Sequence, residues 1–214
     1  MRSAPFVLAA LCVLVLFLGL DRVGALDERE ARDAQVAREL AHHADELTPR
    51  LGGEPFFEKP LGAYALEKLG GGPAGGTPLA SRRLRAALAV LLVLVTGVAG
   101  ARHFGARAGI IAAGALATSV ALPLAARSDG TQLLGTLFAW IGCAGLADVV
   151  FGRAGGRDLR LVVTWGALAA ALLCAGPLTA LWPLGGLALY VALARDREDW
   201  RHARPLPGLL AALA

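Results

Sequence analysis

The sequence predicts an all-α protein, a polytopic bundle of membrane helices with one large outer loop that carries amphipathic interfacial helices. Of its 214 residues, 56% are hydrophobic and only 18% are charged, which is typical of an integral membrane protein rather than a soluble domain. A series of apolar runs approaches the ~20 residues that a helix needs to cross a bilayer. We therefore expect a first transmembrane helix at 1–20, an outer loop at 21–85 and a helical membrane bundle at 86–214, with about five spans and the start of another.

The first apolar run is "PFVLAALCVLVLFLGL", residues 5–20, and it follows Arg2. It is slightly short for a spanning helix, and "VGA" at 23–25 is a small-residue pattern of the kind that signal peptidases cleave. Because several further runs follow, the sequence favours an uncleaved first span, with a cleavable signal peptide as the alternative.

The later runs give the remaining spans. A run from Leu161 to Ala194 is too long for one crossing at ~1.5 Å per residue, and Gly176–Pro177 lies in its middle. We expect two helices that fold back at this pair. The other predicted spans cover 86–101, 108–126 and 131–150, and a last apolar run begins at Pro205.

The positions of the arginines predict the orientation. Three short loops are rich in arginine, and cytoplasmic loops carry an excess of such charge. We therefore expect the N-terminus to be cytoplasmic, in the plasma (inner) membrane, with the 21–85 loop on the outer face. The cluster "SRRLR" at 81–85 falls on that outer face and runs against the rule. The three loops contain Arg102 and Arg107; Arg153, Arg157 and Arg160; and Arg195, Arg197, Arg201 and Arg204.

The outer loop contains most of the polar chemistry. Residues 28–46 repeat apolar side chains at helical intervals, as in Val36 and Leu40, which predicts an amphipathic helix at the membrane surface. Glu28 and Arg32 are spaced to form a surface pair on it. A stiff turn, "TPRLGGEPFFEKP" at 48–60, is followed by a short helix over 61–69 and a glycine-rich linker. No nucleic-acid partner is predicted.

Two parts of this loop resemble a known family. "EARDAQVAREL" and "LTPRLGGEPFFEKP" are similar to the first outer loop of the GT-C membrane glycosyltransferases, above all the lipid A aminoarabinosyltransferases and the related protein O-mannosyltransferases (families 39 and 83). The similarity continues in "ALATSVALPLAARSDGTQLL" and in "GPLTALWPL". It covers nearly the whole chain and implies the N-terminal half of a GT-C fold.

The resemblance implies a polytopic enzyme that takes a sugar from a polyprenyl-phosphate donor on the outer membrane face. The acceptor would be a hydroxyl of a lipid, a glycan or a protein, as in lipopolysaccharide or protein glycosylation. The alternative is a catalytically inactive membrane scaffold, or a protein that binds or transports lipid headgroups. Under the resemblance, the stiff turn would hold Glu58 and Lys59 at a lipid phosphate. The alternative for this segment is an ordinary capped loop with an exposed ion pair.

Site residues follow from the same resemblance. It implies that Lys59, with Arg50 and Arg127, contacts the lipid phosphate, and that Glu58 occupies a position that can bind a divalent metal. An acidic residue must take the proton of the acceptor hydroxyl. The candidates are Glu30, which aligns without a gap, or Asp27 and Glu28 if the helix start shifts, together with Asp129 near the site.

The sequence also departs from the family pattern. Arg29 stands where an acidic residue is expected, and Ala175 replaces a lysine before Gly-Pro. Relatives have about twice as many spans, so we expect a piece of a longer enzyme, a degenerate protein or a half that needs a partner chain. The isolated chain is therefore expected to transfer sugar poorly.

Overall fold

The computed structural model describes residues 4–20, 28–43, 45, 47–71, 78–128, 130–151 and 157–194. The chain divides into two compact units, residues 1–134 and 135–214. Helices make up nearly all of the described chain, so the predicted all-α fold is confirmed.

The first unit is organised around one long helix. That helix, α4, contacts the other five helices of this unit, so it forms the unit's centre. The six helices in order are α1 Ala4–Phe17, α2 Glu28–His42, α3 Leu61–Gly71, α4 Pro78–Phe104, α5 Ala106–Ala117 and α6 Ala121–Ser128. The predicted helices beginning at 28 and at 61 are both present.

The predicted stiff turn between α2 and α3 is a small antiparallel hairpin. Its strands are β1, Arg50–Leu51, and β2, Glu54–Pro55. The two residues of the turn, Gly52 and Gly53, have φ angles of 65° and 86°. Glycine adopts two such consecutive conformations at the least cost, so the Gly-Gly pair favours the hairpin at this point.

The second unit contains most of α7, Gly130–Val150, and all of α8, Arg157–Ala175, and α9, Pro177–Ala194. The break between α8 and α9 falls at Gly176, as predicted. Gly176 has a φ of 84°, which ends one helix, and Pro177 starts the next because its missing N–H has no partner in a first turn.

Within the described residues, three helical stretches are long and apolar enough to cross a membrane: Ser81–Phe104, Gln132–Val150 and Asp158–Ala175. A fourth candidate is the bent pair formed by Ala106–Ala117 and Ala121–Arg127. The spans predicted from the other apolar runs stay predictions.

The helices differ from the prediction at two points. The span predicted over 108–126 is broken between α5 and α6, whose axes differ by 55°. At the break, the hydroxyls of Thr118 and Ser119 donate to the carbonyls of Gly114 and Leu116, so they compete with the backbone ladder. In addition, α4 begins at Pro78 rather than near residue 86, so "SRRLR" belongs to a helix and not to the loop.

Candidate functional site

A shared apolar core joins α2, the hairpin and α3 into one block. Val36 and Leu40 lie one turn apart on α2 and are buried against Tyr64 of α3. Leu51 and Phe56 of the hairpin region pack on the same cluster. Burial raises the pKa of Tyr64 to about 12, so its phenol stays neutral at physiological pH.

Glu39 fixes the hairpin to α2. Its carboxylate accepts hydrogen bonds from the backbone N–H groups of Gly53 and Gly52, at 3.0 and 2.9 Å, and from the Gln35 amide. These bonds, that from Gly53 foremost, lower the pKa of Glu39. The Gly-Gly turn is therefore held by a charged group on the neighbouring helix.

The "FFEKP" segment is connected to α2 by two consecutive ion pairs. Lys59 Nζ lies 2.7 Å from Asp33 Oδ2, and Arg32 Nη1 lies 3.0 Å from Glu58 Oε2. Arg32 therefore pairs with Glu58. The spacing on the helix had predicted a pair with Glu28 instead.

The two pairs differ in their exposure to water. The side chains of Arg32 and Glu58 are 30% and 45% exposed, so solvent screens their attraction. Those of Lys59 and Asp33 are only 18% and 10% exposed. The Lys59–Asp33 contact is thus the stronger of the two.

A cleft of about 370 Å³ opens at this segment. Phe57 and Leu47, two of its lining residues, are 72% and 73% exposed. Such an apolar rim beside charged groups is typical of a surface that meets a membrane interface. The cleft is lined by Leu47, Pro49, Phe57, Glu58, Lys59, Pro60 and Leu61.

Glu30 is placed differently from Lys59. Both of its carboxylate oxygens accept hydrogen bonds from Arg82 of α4, at 2.8 and 2.7 Å. Arg82 also donates to the carbonyl of Leu20, at 3.1 Å. Glu30 is thus held in a bidentate contact in the interior of the first unit.

Arg85 extends this contact into a four-residue network, called here the buried charge network: Glu30, Glu67, Arg82 and Arg85. Arg85 donates twice to Glu67 Oε1, at 3.0 and 2.6 Å, and its Nη1 lies 3.5 Å from Glu30 Oε1. All four side chains are at most 3% exposed. The network therefore ties α2 and α3 to the first turns of α4.

The remaining predicted residues lie in several places. Arg127 donates to the carbonyls of Val15 and Leu18, both at 3.1 Å, and Arg50 donates to Gly53 at 3.0 Å. Both guanidinium groups bind backbone oxygens of the protein itself. Glu28 is exposed in the first turn of α2.

Asp27 and Asp129 lie outside the described residues. In the part of the chain that is described, no group of three or more His, Cys, Asp or Glu side chains could hold a metal ion. Glu58 is bound by Arg32 instead, and its metal role stays a prediction, as do the phosphate and proton-transfer roles of the other residues.

Sequence reasoning missed Asp33, Glu67, Arg82 and Arg85. For the two arginines a signal existed, because a spacing of three places both on one face of a helix. For Asp33 there was none, since its partner lies 26 residues away.

Comparison with known proteins gives a match of structure alone. No family model matches the chain, and no curated protein does either. Two crystal structures of ArnT from Cupriavidus metallidurans match it, one in the apo state and one bound to undecaprenyl phosphate. Their TM-score is 0.85, with 24% and 25% sequence identity.

The chain has the fold of ArnT. The match covers 100% of this chain but 40% of ArnT, so the chain spans less than half the length of that protein. ArnT is a lipid A aminoarabinosyltransferase of the GT-C class, and the predicted resemblance to that class is confirmed. The ArnT-like fold and the apolar helices show that this is an integral membrane protein.

We expect the attachment of the hairpin to depend on pH through Glu39. The pKa of Glu39 in the folded state lies below its ordinary value. The contribution of its carboxylate to stability is therefore present above about pH 4.5 and is lost as the pH falls through the folded-state pKa. Normalised amide-exchange protection at Gly52 and Gly53 should therefore fall as the pH is lowered below about 4.5. Glu39→Gln should be less protected and insensitive to pH in that range, whereas Glu54→Gln should behave like the parent. Equal pH dependence in the parent and in Glu39→Gln would contradict the assignment.

We expect Glu30→Gln to destabilise the first unit, because it removes the buried carboxylate charge that pairs with both Arg82 and Arg85. Loss of one partner of a buried pair costs about 3–5 kcal/mol, whereas replacing both partners with apolar residues costs far less. Thermal unfolding in detergent should show a large loss of stability for Glu30→Gln. The loss of stability should be smaller for Glu30→Met combined with Arg82→Met. Unchanged unfolding of Glu30→Gln would mean that its role is chemical rather than structural.

Proposed function

We propose that the protein binds the phosphate of a polyprenyl-phosphate sugar donor at Lys59 and serves the transfer of that sugar to a hydroxyl group. The observation that carries this proposal is the position of Lys59, which lines a cleft whose rim is formed by exposed Phe57 and Leu47. The likeness to ArnT, which has been crystallised with undecaprenyl phosphate, supports it.

The composition of the cleft suits a lipid phosphate. An ammonium group forms short, charge-assisted hydrogen bonds with phosphate oxygens. The apolar side chains beside it suit the first part of a prenyl chain, because that part of the lipid enters the membrane directly below the headgroup. A soluble sugar nucleotide would gain nothing from Phe57 and Leu47, so the site favours a lipid-linked donor.

In the proposed reaction, the bond between the anomeric carbon and a phosphate oxygen breaks while the acceptor oxygen attacks that carbon. Negative charge builds on the lipid phosphate, and Lys59 would stabilise it. A carboxylate would take the acceptor's proton. The Glu30 carboxylate is held by two arginines, so Glu28 is the better candidate among the described acids. Asp27 and Asp129 remain candidates by resemblance.

We also propose that the site faces the outer side of the inner membrane, with the N-terminus in the cytoplasm. The arginines of "SRRLR" were the feature that ran against this orientation. Arg82 and Arg85 are neutralised by Glu30 and Glu67, so they do not act as free positive charge next to the membrane. The arginine-rich loops at the other ends of the spans then set the orientation.

A second candidate function is binding of the lipid phosphate without transfer, with a partner chain supplying the rest of an active site. Two features favour it. Glu30 is part of the buried charge network, and Ala175 provides no cation to the departing phosphate. The acceptor and the sugar are left open by both candidates.

We expect Lys59→Ala to weaken binding of undecaprenyl phosphate by about tenfold or more, because a charge-assisted contact contributes roughly 1.5–3 kcal/mol. Binding would be measured with the protein in nanodiscs at fixed salt. Lys68→Ala, on α3, makes the same change in net charge and should bind like the parent. If Lys59→Ala and the parent bind the lipid equally, the proposed site is wrong.

We expect the isolated chain to form no product above a protein-free control when reconstituted with a polyprenyl-phosphate sugar. The physical reason is that Ala175 offers no cation to the departing phosphate. Turnover that is lost in Glu28→Gln would refute this expectation and identify the proton acceptor. Binding without turnover would support the second candidate.

A further inference from the structure

Asp33 is a charged group in direct contact with the proposed phosphate-binding lysine. Its carboxylate lies 2.7 Å from Lys59 Nζ, and its side chain is only 10% exposed. A surface lysine that serves only to attract phosphate needs no such partner, because a carboxylate at hydrogen-bond distance competes with the ligand for the same ammonium group. Phosphate binding by Lys59 alone therefore does not explain why Asp33 is paired with it.

The α2 helix fixes Asp33 in this position. Arg32 beside it is engaged with Glu58, and Glu30, one turn earlier, is locked onto Arg82. The carboxylate of Asp33 therefore cannot move away with its helix when a ligand approaches Lys59. Any phosphate oxygen bonded to Nζ would lie within about 5–6 Å of this fixed negative charge, where repulsion between partly buried charges is appreciable.

The repulsion from Asp33 depends on the charge of the lipid. A polyprenyl-phosphate sugar is a phosphodiester with one negative charge. When the sugar leaves, the bridging oxygen stays on the lipid phosphate with the bonding electron pair, and the acceptor's proton goes to a base. The product is a phosphomonoester with a charge of about −1.5 to −2 at pH 7. Asp33 therefore repels the product more strongly than the donor.

We propose that Asp33 sets the selectivity of Lys59 between phosphate states: it weakens binding of the lipid phosphomonoester more than binding of the phosphodiester. This inference rests on the proposed function, and it assigns a role in product release to a residue that the family resemblance does not single out. Glu58 does not share this role, because Arg32 neutralises it and its side chain is 45% exposed.

Asp33→Asn tests the proposal because it removes the charge and keeps the shape. The probes are undecaprenyl phosphate and its methyl ester, which is a phosphodiester with the same chain. Both would be bound to the full chain in phosphatidylcholine nanodiscs at low salt with a metal chelator. If Asp33→Asn binds the methyl ester about threefold more tightly, the monoester should gain about fivefold to ninefold, since repulsion scales with ligand charge.

Two control variants separate the charge of Asp33 from other effects. Asp33→Glu keeps the charge and should retain the parent's ratio of the two affinities. Glu54→Gln removes one negative charge from the exposed hairpin of the same loop and should leave that ratio unchanged. Thermal unfolding of each variant identifies any loss of affinity that comes from loss of the fold.

The outcomes distinguish this inference from the proposed function. Weaker binding of both lipids by a folded Asp33→Asn would show that Asp33 orients Lys59 instead, and would overturn the inference. An equal gain for both lipids, or no gain, would also overturn it. If Lys59→Ala binds both lipids like the parent, the proposed function itself fails.

Discussion

The buried charge network is the constraint on which the rest of the first unit depends. Four charged side chains in the interior are tolerated only if each carboxylate meets a guanidinium, because an unpaired charge there would cost several kcal/mol. Glu30 belongs to α2, Glu67 belongs to α3, and both arginines belong to α4. Satisfying the network therefore fixes two helices of the polar loop on the first turns of a membrane helix.

The candidate site depends on that placement. With α2 fixed, its next residues, Arg32 and Asp33, meet Glu58 and Lys59, and Glu39 holds the hairpin that precedes them. Lys59 lies in a bend, but its ion pair with Asp33 of α2 holds it in place, and a fixed donor loses less entropy on binding an anion. The likeness to ArnT extends over the whole chain, so the same framework supports a lipid-phosphate site in the proposed function.

The network also separates the roles of the acidic residues in α2. Glu30 aligns with a family position for catalysis, but its carboxylate is shared between two arginines. Asp33, three residues later, contacts Lys59, the proposed phosphate-binding residue, and Glu28 is exposed to solvent. In our proposal, neighbouring carboxylates on a single helix thereby serve structure, ligand selectivity and proton transfer.

The sequence by itself determined the local structure of this protein. Apolar periodicity predicted α2, the Gly-Gly pair lay in a predicted turn, and Gly176–Pro177 marked the end of α8. Local features of this kind depend on neighbouring residues only, and so does the "FFEKP" motif that carries the family resemblance. Tertiary structure decided which charges meet: Arg82 lies 52 residues from Glu30, and Lys59 lies 26 residues from Asp33. No spacing encodes these pairs, because they form only when packing brings separate helices together and removes water from between their side chains.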